Sequence, residues 1–171
     1  MKQFCLAIAL GLAALPAAAA TLEDLTTARA ERDAVWEEVP FGARVAVFAE
    51  ASAAGFGDYT QRASNVFKQT DPFFLYVEPV GYGFSELDDG RTQQGVSTDI
   101  RLKDADGNVM VDKKNALEVS GTYNRRVHSL YLVITNGPLA LPVGTYSFVL
   151  VLHDVTGDAT ATVPLPFEIV E

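Results

Sequence analysis

Residues 144–170 read GTYSFVLVLHDVTGDATATVPLPFEIV, and apolar side chains recur in this stretch at every second position. Such alternation is typical of β-strands that bury one face, because successive side chains point to opposite sides of a sheet. The stretch therefore predicts two strands, over residues 145–153 and 160–170. Pro164 and Pro166 have no N–H to donate, so we expect the last strand to lie at a sheet edge or to turn its proline positions to solvent. The apolar faces of the two strands are formed by Tyr146, Phe148, Leu150 and Leu152, and by Ala161, Val163, Leu165, Phe167 and Ile169.

The period of two extends upstream to residue 43. About seven strands joined by turns predict a mainly β protein, in which residues 41–171 form one antiparallel β-sandwich domain. Asp104-Ala105-Asp106-Gly107 and Asn136-Gly137-Pro138 supply turns. The further strands are expected over 44–50, 73–80, 96–103, 108–112, 116–120 and 128–135.

Residues 21–39 have the pattern of an amphipathic helix, within a segment of residues 21–40. Thr21 is a suitable N-cap with Asp24 three positions on, and Pro40 ends the segment. We expect this N-terminal helix to dock on the sandwich; a helix that binds a partner or a membrane surface is the alternative. Its acidic polar face argues against anionic lipid. The apolar side is formed by Leu22, Leu25, Ala28, Val35, Trp36 and Val39.

Residues 1–20 have the pattern of a cleaved signal peptide. Lys2 precedes an apolar run from Phe4 to Leu15, and small residues up to Ala20 follow Pro16. The run is shorter than the roughly 20 apolar residues of a membrane-spanning helix. The sequence therefore predicts export to the periplasm or the extracellular space.

Composition excludes several classes of function. Cleavage would remove Lys2 and Cys5, so that the formal net charge of −9 becomes −10 and no thiol remains. This balance disfavours nucleic-acid binding, which needs clustered Lys and Arg. A chain without cysteine has neither disulfides nor thiol chemistry. After the leader, no run is long and apolar enough to cross a membrane.

One motif resembles a known class of module. Leu141-Pro142-Val143-Gly144-Thr145-Tyr146, together with the turn at residues 102–109, is similar to the late strands of bacterial exported immunoglobulin-like and fibronectin type III-like β-sandwich modules of unassigned function. The resemblance implies that the Tyr146 hydroxyl bonds back to the backbone, as in a tyrosine corner. A paired cysteine, as in antibody domains, is absent. The segment 56–83 is also similar to small exported bacterial proteins without an assigned role.

No catalytic or metal-binding spacing is present. A G-x-S-x-G nucleophile elbow and a glycine-rich phosphate loop are both lacking, and His128 and His153 stand in no ligand pattern. Asp104 and Asp106 could suggest calcium, but a tight turn explains this pair. We therefore expect a protein that is not an enzyme and has no cofactor or metal.

Residues 55–90 are rich in aromatic residues and glycine, and they contain the candidate binding residues. If Phe73 faces the core, Phe74, Tyr76 and Glu78 face outward. This outward face is either an exposed aromatic row for a sugar or peptide, or a bed for the helix, with Glu78 receiving Arg29 or Arg32. The loop 81–95 is the expected binding rim. The candidate ligand-binding residues are Tyr76, Glu78, Tyr82, Phe84, Asp88 and Asp89.

These observations favour a noncatalytic binding module of the cell envelope, whose partner is a protein or another envelope component. The alternative is a carbohydrate-binding or carbohydrate-active protein that uses the aromatic residues and carboxylates of residues 73–90. A third class is strand addition to a partner through an open edge, for which the final strand is the expected edge.

Overall fold

A computed structural model describes residues 19–171 of the chain, so the predicted signal peptide lies, apart from Ala19 and Ala20, outside the described residues. This part of the chain is mainly β, as predicted, with one helix and nine strands. The elements are α1 (Leu22–Glu38), β1 (Gly42–Ala49), β2 (Val66–Lys68), β3 (Phe73–Val80), β4 (Ser85–Glu86), β5 (Thr92–Asp104), β6 (Val109–Tyr123), β7 (Leu132–Asn136), β8 (Gly144–Asp154) and β9 (Thr160–Val170).

Helix α1 begins where the capping residues predict. The Thr21 hydroxyl accepts the Asp24 N–H at 3.1 Å, and the Thr21 N–H donates to the Asp24 carboxylate at 2.7 Å. These bonds lower the pKa of Asp24. The helix is not at the N-terminus of the chain, since 21 residues precede it. No helix in the described part of the chain is both long and apolar enough to span a membrane.

The chain divides into two compact units between Asp33 and Ala34. In the first unit, Leu22 and Leu25 of α1 are exposed. The predicted docking of the helix on the sheets stays a prediction. Ala34–Glu38, the last residues of the helix, belong to the second unit together with all nine strands.

The strands form two sheets. One has the order β1-β3-β7 and is antiparallel throughout; the other has the order β2-β9-β8-β5-β4, with β6 also paired to β5. The pairing of β2 with β9 is parallel, and the other pairs of the second sheet are antiparallel.

Several predicted strand boundaries are wrong. β2 and β4 were not expected, because two or three residues are too few to show a period. β6 is one strand where two were expected, since the exposed residues of its first half do not alternate. β7 begins at Leu132 rather than at residue 128.

Both sheets contribute to one hydrophobic core. The Phe73 ring on β3 lies 5.4 Å from that of Phe148 on β8 and 5.0 Å from that of Phe167 on β9. The predicted apolar faces of β8 and β9 are therefore on the inside. Pro164 and Pro166 are exposed, as expected, and β2 pairs with β9 only at residues 168–170.

Two predicted local structures are present. Asp104–Gly107 is a turn in which the Gly107 N–H donates a hydrogen bond to the Asp104 carbonyl at 3.1 Å. Gly107 has φ +83°, a backbone conformation that favours glycine. At the start of β8, the Tyr146 hydroxyl donates to the Pro142 carbonyl at 3.0 Å. This second bond ties the segment before β8 to the strand itself.

We expect Tyr146→Phe to lower the free energy of unfolding by about 1 kcal/mol, because it removes a partly buried hydrogen bond and leaves the ring in place. Urea denaturation measures the change. Tyr123→Phe is the matched control, since the Tyr123 hydroxyl makes no hydrogen bond within residues 19–171. Equal stability of Tyr146→Phe and the wild type would contradict a stabilising role for this bond.

Candidate functional site

The six candidate residues lie in three separate places. Tyr76 and Glu78 are on β3, Tyr82 and Phe84 lie between β3 and β4, and the third pair lies between β4 and β5. Within residues 19–171, no hydrogen bond, ion pair or ring contact joins the three pairs. The third pair consists of Asp88 and Asp89. The structure therefore does not bring the six residues together in one site.

Tyr76 and Glu78 point away from the core, as predicted, but they are not accessible. Tyr76 is 0% exposed and Glu78 is 2% exposed. The Tyr76 hydroxyl donates to Glu78 Oε1 at 2.7 Å and accepts the Gly57 N–H at 2.7 Å, while Tyr59 stacks on the ring at 4.0 Å. Burial raises the pKa of Tyr76 to about 12. The expected exposed aromatic row is therefore covered by the loop that contains Gly57 and Tyr59.

The ion-pair partner of Glu78 within the second unit is Arg44 on the neighbouring strand β1. The expected contact of Glu78 with Arg29 or Arg32 of the helix stays a prediction. Arg44 Nε donates to Glu78 Oε2 at 3.0 Å, and Nη2 donates to the same oxygen. The guanidinium also lies 5.6 Å from the centre of the Phe56 ring. Arg44, Tyr76 and Glu78 together fasten the loop to the three-stranded sheet, which is a structural role.

Tyr82 is buried, and its hydroxyl donates to the Val127 carbonyl at 2.7 Å. Burial raises the pKa of this tyrosine to about 12. Trp36 packs edge-on against the ring at 4.9 Å, and its Nε1 donates to the Tyr82 carbonyl at 2.9 Å. Tyr82 is thus a core residue and does not present its ring to a ligand.

Phe84 is half-buried and lines a surface hollow of about 290 Å³. Trp36, Arg126 and Asp154 also line this hollow, and the Arg126 guanidinium lies 5.1 Å from the Phe84 ring centre. The Asp154 carboxylate accepts the Gly83 N–H at 2.8 Å. Of the predicted aromatic residues, Phe84 is therefore the one placed to touch a ligand.

Asp88 and Asp89 are exposed in the turn between β4 and β5. Arg91 donates to the Asp89 carboxylate at 2.8 Å through Nε and thereby lowers the pKa of Asp89. Asp104, the residue considered for calcium, accepts the Asp106 and Asn108 N–H groups within its own turn. Among the described residues, no three His, Cys, Asp or Glu side chains converge in a way that could hold a metal ion.

A further concave feature was not predicted from the sequence. Two adjoining hollows of about 290 and 450 Å³ share Leu117 of β6 and Val133 of β7, and we call them together the β6–β7 groove. Most of the lining is apolar. The lining residues are Ile100, Leu102, Val111, Lys113, Ala116, Leu117, Val119, Tyr123, Val127, Ser129, Leu130, Tyr131, Val133, Ile134, Thr135, Asn136, Leu139 and Phe148.

Two sheet edges border the β6–β7 groove. In the part of the chain that the structure describes, β6 pairs with β5 alone and β7 pairs with β3 alone. Each strand therefore has one side without a partner strand. Val109, Met110 and Val111, at the start of β6, are about half exposed. The groove thus combines apolar walls with unpaired strand edges.

A buried carboxylate contacts β6 between the groove-lining residues Lys113 and Ala116. Asp99 of β5 accepts the Asn115 N–H and the Lys114 ammonium, both at 2.9 Å, and His153 Nε2 lies 3.2 Å from the same carboxylate. Asn115 has φ 44° where the pairing of β5 with β6 is irregular. The Asn115 bond is the main cause that lowers the pKa of Asp99 to about 2.

We expect protonation of Asp99 to lower the stability of the protein in acid. The folded pKa of about 2 lies below the ordinary value of 3.8, so its contribution is fully present above pH 3.8 and is lost as the pH falls through 2. The stability that Asp99 contributes above pH 3.8 is about 2 kcal/mol. Urea titrations at several pH values should show a shallower loss of stability for Asp99→Asn than for the wild type. An unchanged profile would contradict this role.

Asp88→Asn is the control for the loss of one negative charge in these titrations. Asp88 is exposed, and its side chain makes no hydrogen bond or ion pair within residues 19–171.

No protein-family model matches the chain, and no curated protein matches it either.

Proposed function

We propose that this protein is a noncatalytic interaction module that binds an extended segment of a protein partner in the β6–β7 groove. The observation that carries the proposal is the combination, within residues 19–171, of two unpaired strand edges with an apolar groove between them. Strand edges are natural templates for pairing with another chain. The groove is also mainly apolar, whereas Tyr76, Glu78 and Tyr82 are engaged in the fold.

The proposal includes an immunoglobulin-like β-sandwich. With β1, β3 and β7 taken as strands A, B and E, and β9, β8, β5 and β6 as G, F, C and C′, the two sheets follow the strand order of such domains. The bond from Tyr146 to Pro142 at the start of strand F supports the same assignment. The groove then lies between strands C′ and E, at an open side of the sandwich.

The proposal places the protein in the cell envelope or outside the cell. The apolar run from Phe4 to Leu15, preceded by Lys2 and followed by small residues, supports cleavage after Ala20 and export. The partner would then be a protein that is itself exposed to the periplasm or to the exterior.

Photo-cross-linking in cells that produce the protein tests the proposed function. A benzophenone amino acid replaces Val119 or Val133, which line the β6–β7 groove, or Thr162, which is exposed on β9. We expect both groove positions to give an adduct of the same mass and Thr162 to give none. Absence of adducts from both groove positions, or an equal adduct from Thr162, would contradict the proposal.

A second candidate function is carbohydrate binding at the hollow beside Phe84. The observation that favours it is the placement of the half-buried Trp36 and Phe84 rings around one hollow with Arg126. Glycan-array binding that is lost in Phe84→Ala and kept in Phe56→Ala, an exposed phenylalanine elsewhere, would support it. Binding that is unchanged in Phe84→Ala would exclude this hollow.

A further inference from the structure

The β7 side of the β6–β7 groove is lined by consecutive residues rather than by every second residue of the strand. Four consecutive residues, Val133 to Asn136, line the groove, although neighbouring side chains of a strand point to opposite faces. A groove that is lined by four consecutive residues of a strand faces the edge of that strand. Because β7 pairs with β3 on its other side, about half of its N–H and C=O groups point toward the groove, where no strand of the described residues pairs with them.

The two edges differ in their protection against strand pairing. β6 carries Asp112, Lys113 and Lys114 in sequence, and Asn115 follows at an irregularity of the pairing. Charged residues, lysine above all, and bulges keep edge strands from pairing with another chain. β7 has no charged residue and pairs with β3 in regular register. β7 is therefore the edge that is open to strand addition, and β6 is protected against pairing with a second copy.

The other walls of the β6–β7 groove are apolar and favour apolar side chains in a bound segment. Ile100, Leu117 and Phe148 face the groove from the other sheet, so a strand paired with β7 would bury every second side chain against apolar surface. An acyl chain in the same place would displace water from the β7 edge without replacing its hydrogen bonds. A peptide main chain replaces them. The geometry thus favours an extended peptide over a lipid tail.

The charge of the groove is opposite to that of the whole protein. The formal net charge is −9, but Lys113 is the one charged residue among those that line the groove in the described part of the chain. Lys114 is held by Asp99, whereas Lys113 makes no ion pair within residues 19–171. A lysine beside apolar walls favours a carboxylate from the bound partner.

Building on the proposed function, we propose that the partner supplies an extended segment that pairs with β7 and places an Asp or Glu side chain against Lys113. The segment has apolar residues at alternate positions, and its carboxylate lies on the groove side. The partner is a different protein rather than a second copy of this chain, because β7 of a second copy has no Asp or Glu to place against Lys113.

Selection of a random 12-residue peptide library on the purified protein tests the composition of this segment. We expect the selected peptides to alternate apolar and polar residues, to carry at least one Asp or Glu and to bind with a Kd tighter than about 100 µM. Leu117→Arg, which places a bulky charge in the groove, should abolish binding, and Val143→Arg at an exposed loop position should not. A library without such binders would overturn the inference.

N-methylation of the best peptide tests strand pairing. Methyl groups on one alternate set of amides should weaken binding at least tenfold, because that set donates to β7. Equal binding of the unmethylated peptide and of both methylated sets would overturn strand addition. A dimer of the protein that Leu117→Arg dissociates, with no peptide bound, would overturn the choice of a different partner.

A charge exchange tests the role of Lys113. Lys113→Glu should weaken binding of the acidic peptide about tenfold, and replacing the peptide's acid by Lys should restore it. Lys68→Glu, the same change at an exposed lysine on β2, should have no effect. Failure of the exchange to restore binding would overturn the assignment of Lys113.

The two proposals fail in different ways. Adducts from the groove together with binding that is indifferent to N-methylation would overturn strand addition and leave the proposed function standing. Absence of groove adducts in cells would count against the proposed function itself.

Discussion

Phe73→Ala is expected to lower the free energy of unfolding by about 3–5 kcal/mol, the range for truncating a fully buried aromatic residue. Phe73 is 1% exposed. Its ring lies 4.4 Å from that of Phe67, and it also contacts Phe148 and Phe167 of the other sheet. The truncation therefore leaves a cavity at the point where the two sheets meet. Urea denaturation with linear extrapolation measures the change.

Phe74→Ala is the matched control, since Phe74 is the next residue on the same strand and is only half-buried on the opposite face. We expect it to cost about 1 kcal/mol. Equal losses for the two variants would contradict the assignment of the inner and outer faces of β3.

Glu78→Ala is expected to destabilise the protein by about 2–4 kcal/mol. The Glu78 side chain is 3% exposed, and its carboxylate accepts hydrogen bonds from the Tyr76 hydroxyl and from Arg44. Its removal leaves the buried hydroxyl without an acceptor and opens a cavity. The Arg44 side chain is 59% exposed and can be hydrated again, which keeps the cost below that of breaking a fully buried pair. Chemical denaturation followed by tryptophan fluorescence reports the loss.

Two variants make this result specific. Glu78→Gln keeps an oxygen acceptor for Tyr76, so we expect it to lose less than half of the stability that Glu78→Ala loses. Glu168→Ala removes an exposed strand carboxylate and should change stability by less than about 0.5 kcal/mol. If Glu78→Ala is as stable as Glu168→Ala, the loop is not fastened by this carboxylate.

The sequence predicts the elements whose signals are local. The alternation in β8 and β9 identifies their buried faces, and the Thr21–Asp24 pair locates the start of the helix. These signals work because a period or a cap depends on a few neighbouring residues. The exposed positions of Pro164 and Pro166 follow from the same pattern.

The parts that depend on contacts far apart in the chain could not be predicted. The outward direction of Tyr76 was predicted correctly, but its cover comes from Gly57 and Tyr59, which lie on a separate loop. In the same way, alternation does not tell which strands pair, so the unpaired edges of β6 and β7 and the groove between them emerge only from the topology. A binding rim at the loop 81–95 was predicted because the aromatic residues there were expected to be exposed, whereas Tyr82 is part of the core.

The most direct test of the β6–β7 groove as a binding site is amide hydrogen exchange of the isotope-labelled protein with and without the selected acidic peptide. Alternate amides of β7, within Leu132–Asn136, should exchange at least tenfold more slowly when the peptide is bound, because they then donate to a partner strand. The amides of β9 should be unaffected. Protection that is confined to the hollow beside Phe84, with β7 unchanged, would contradict the account.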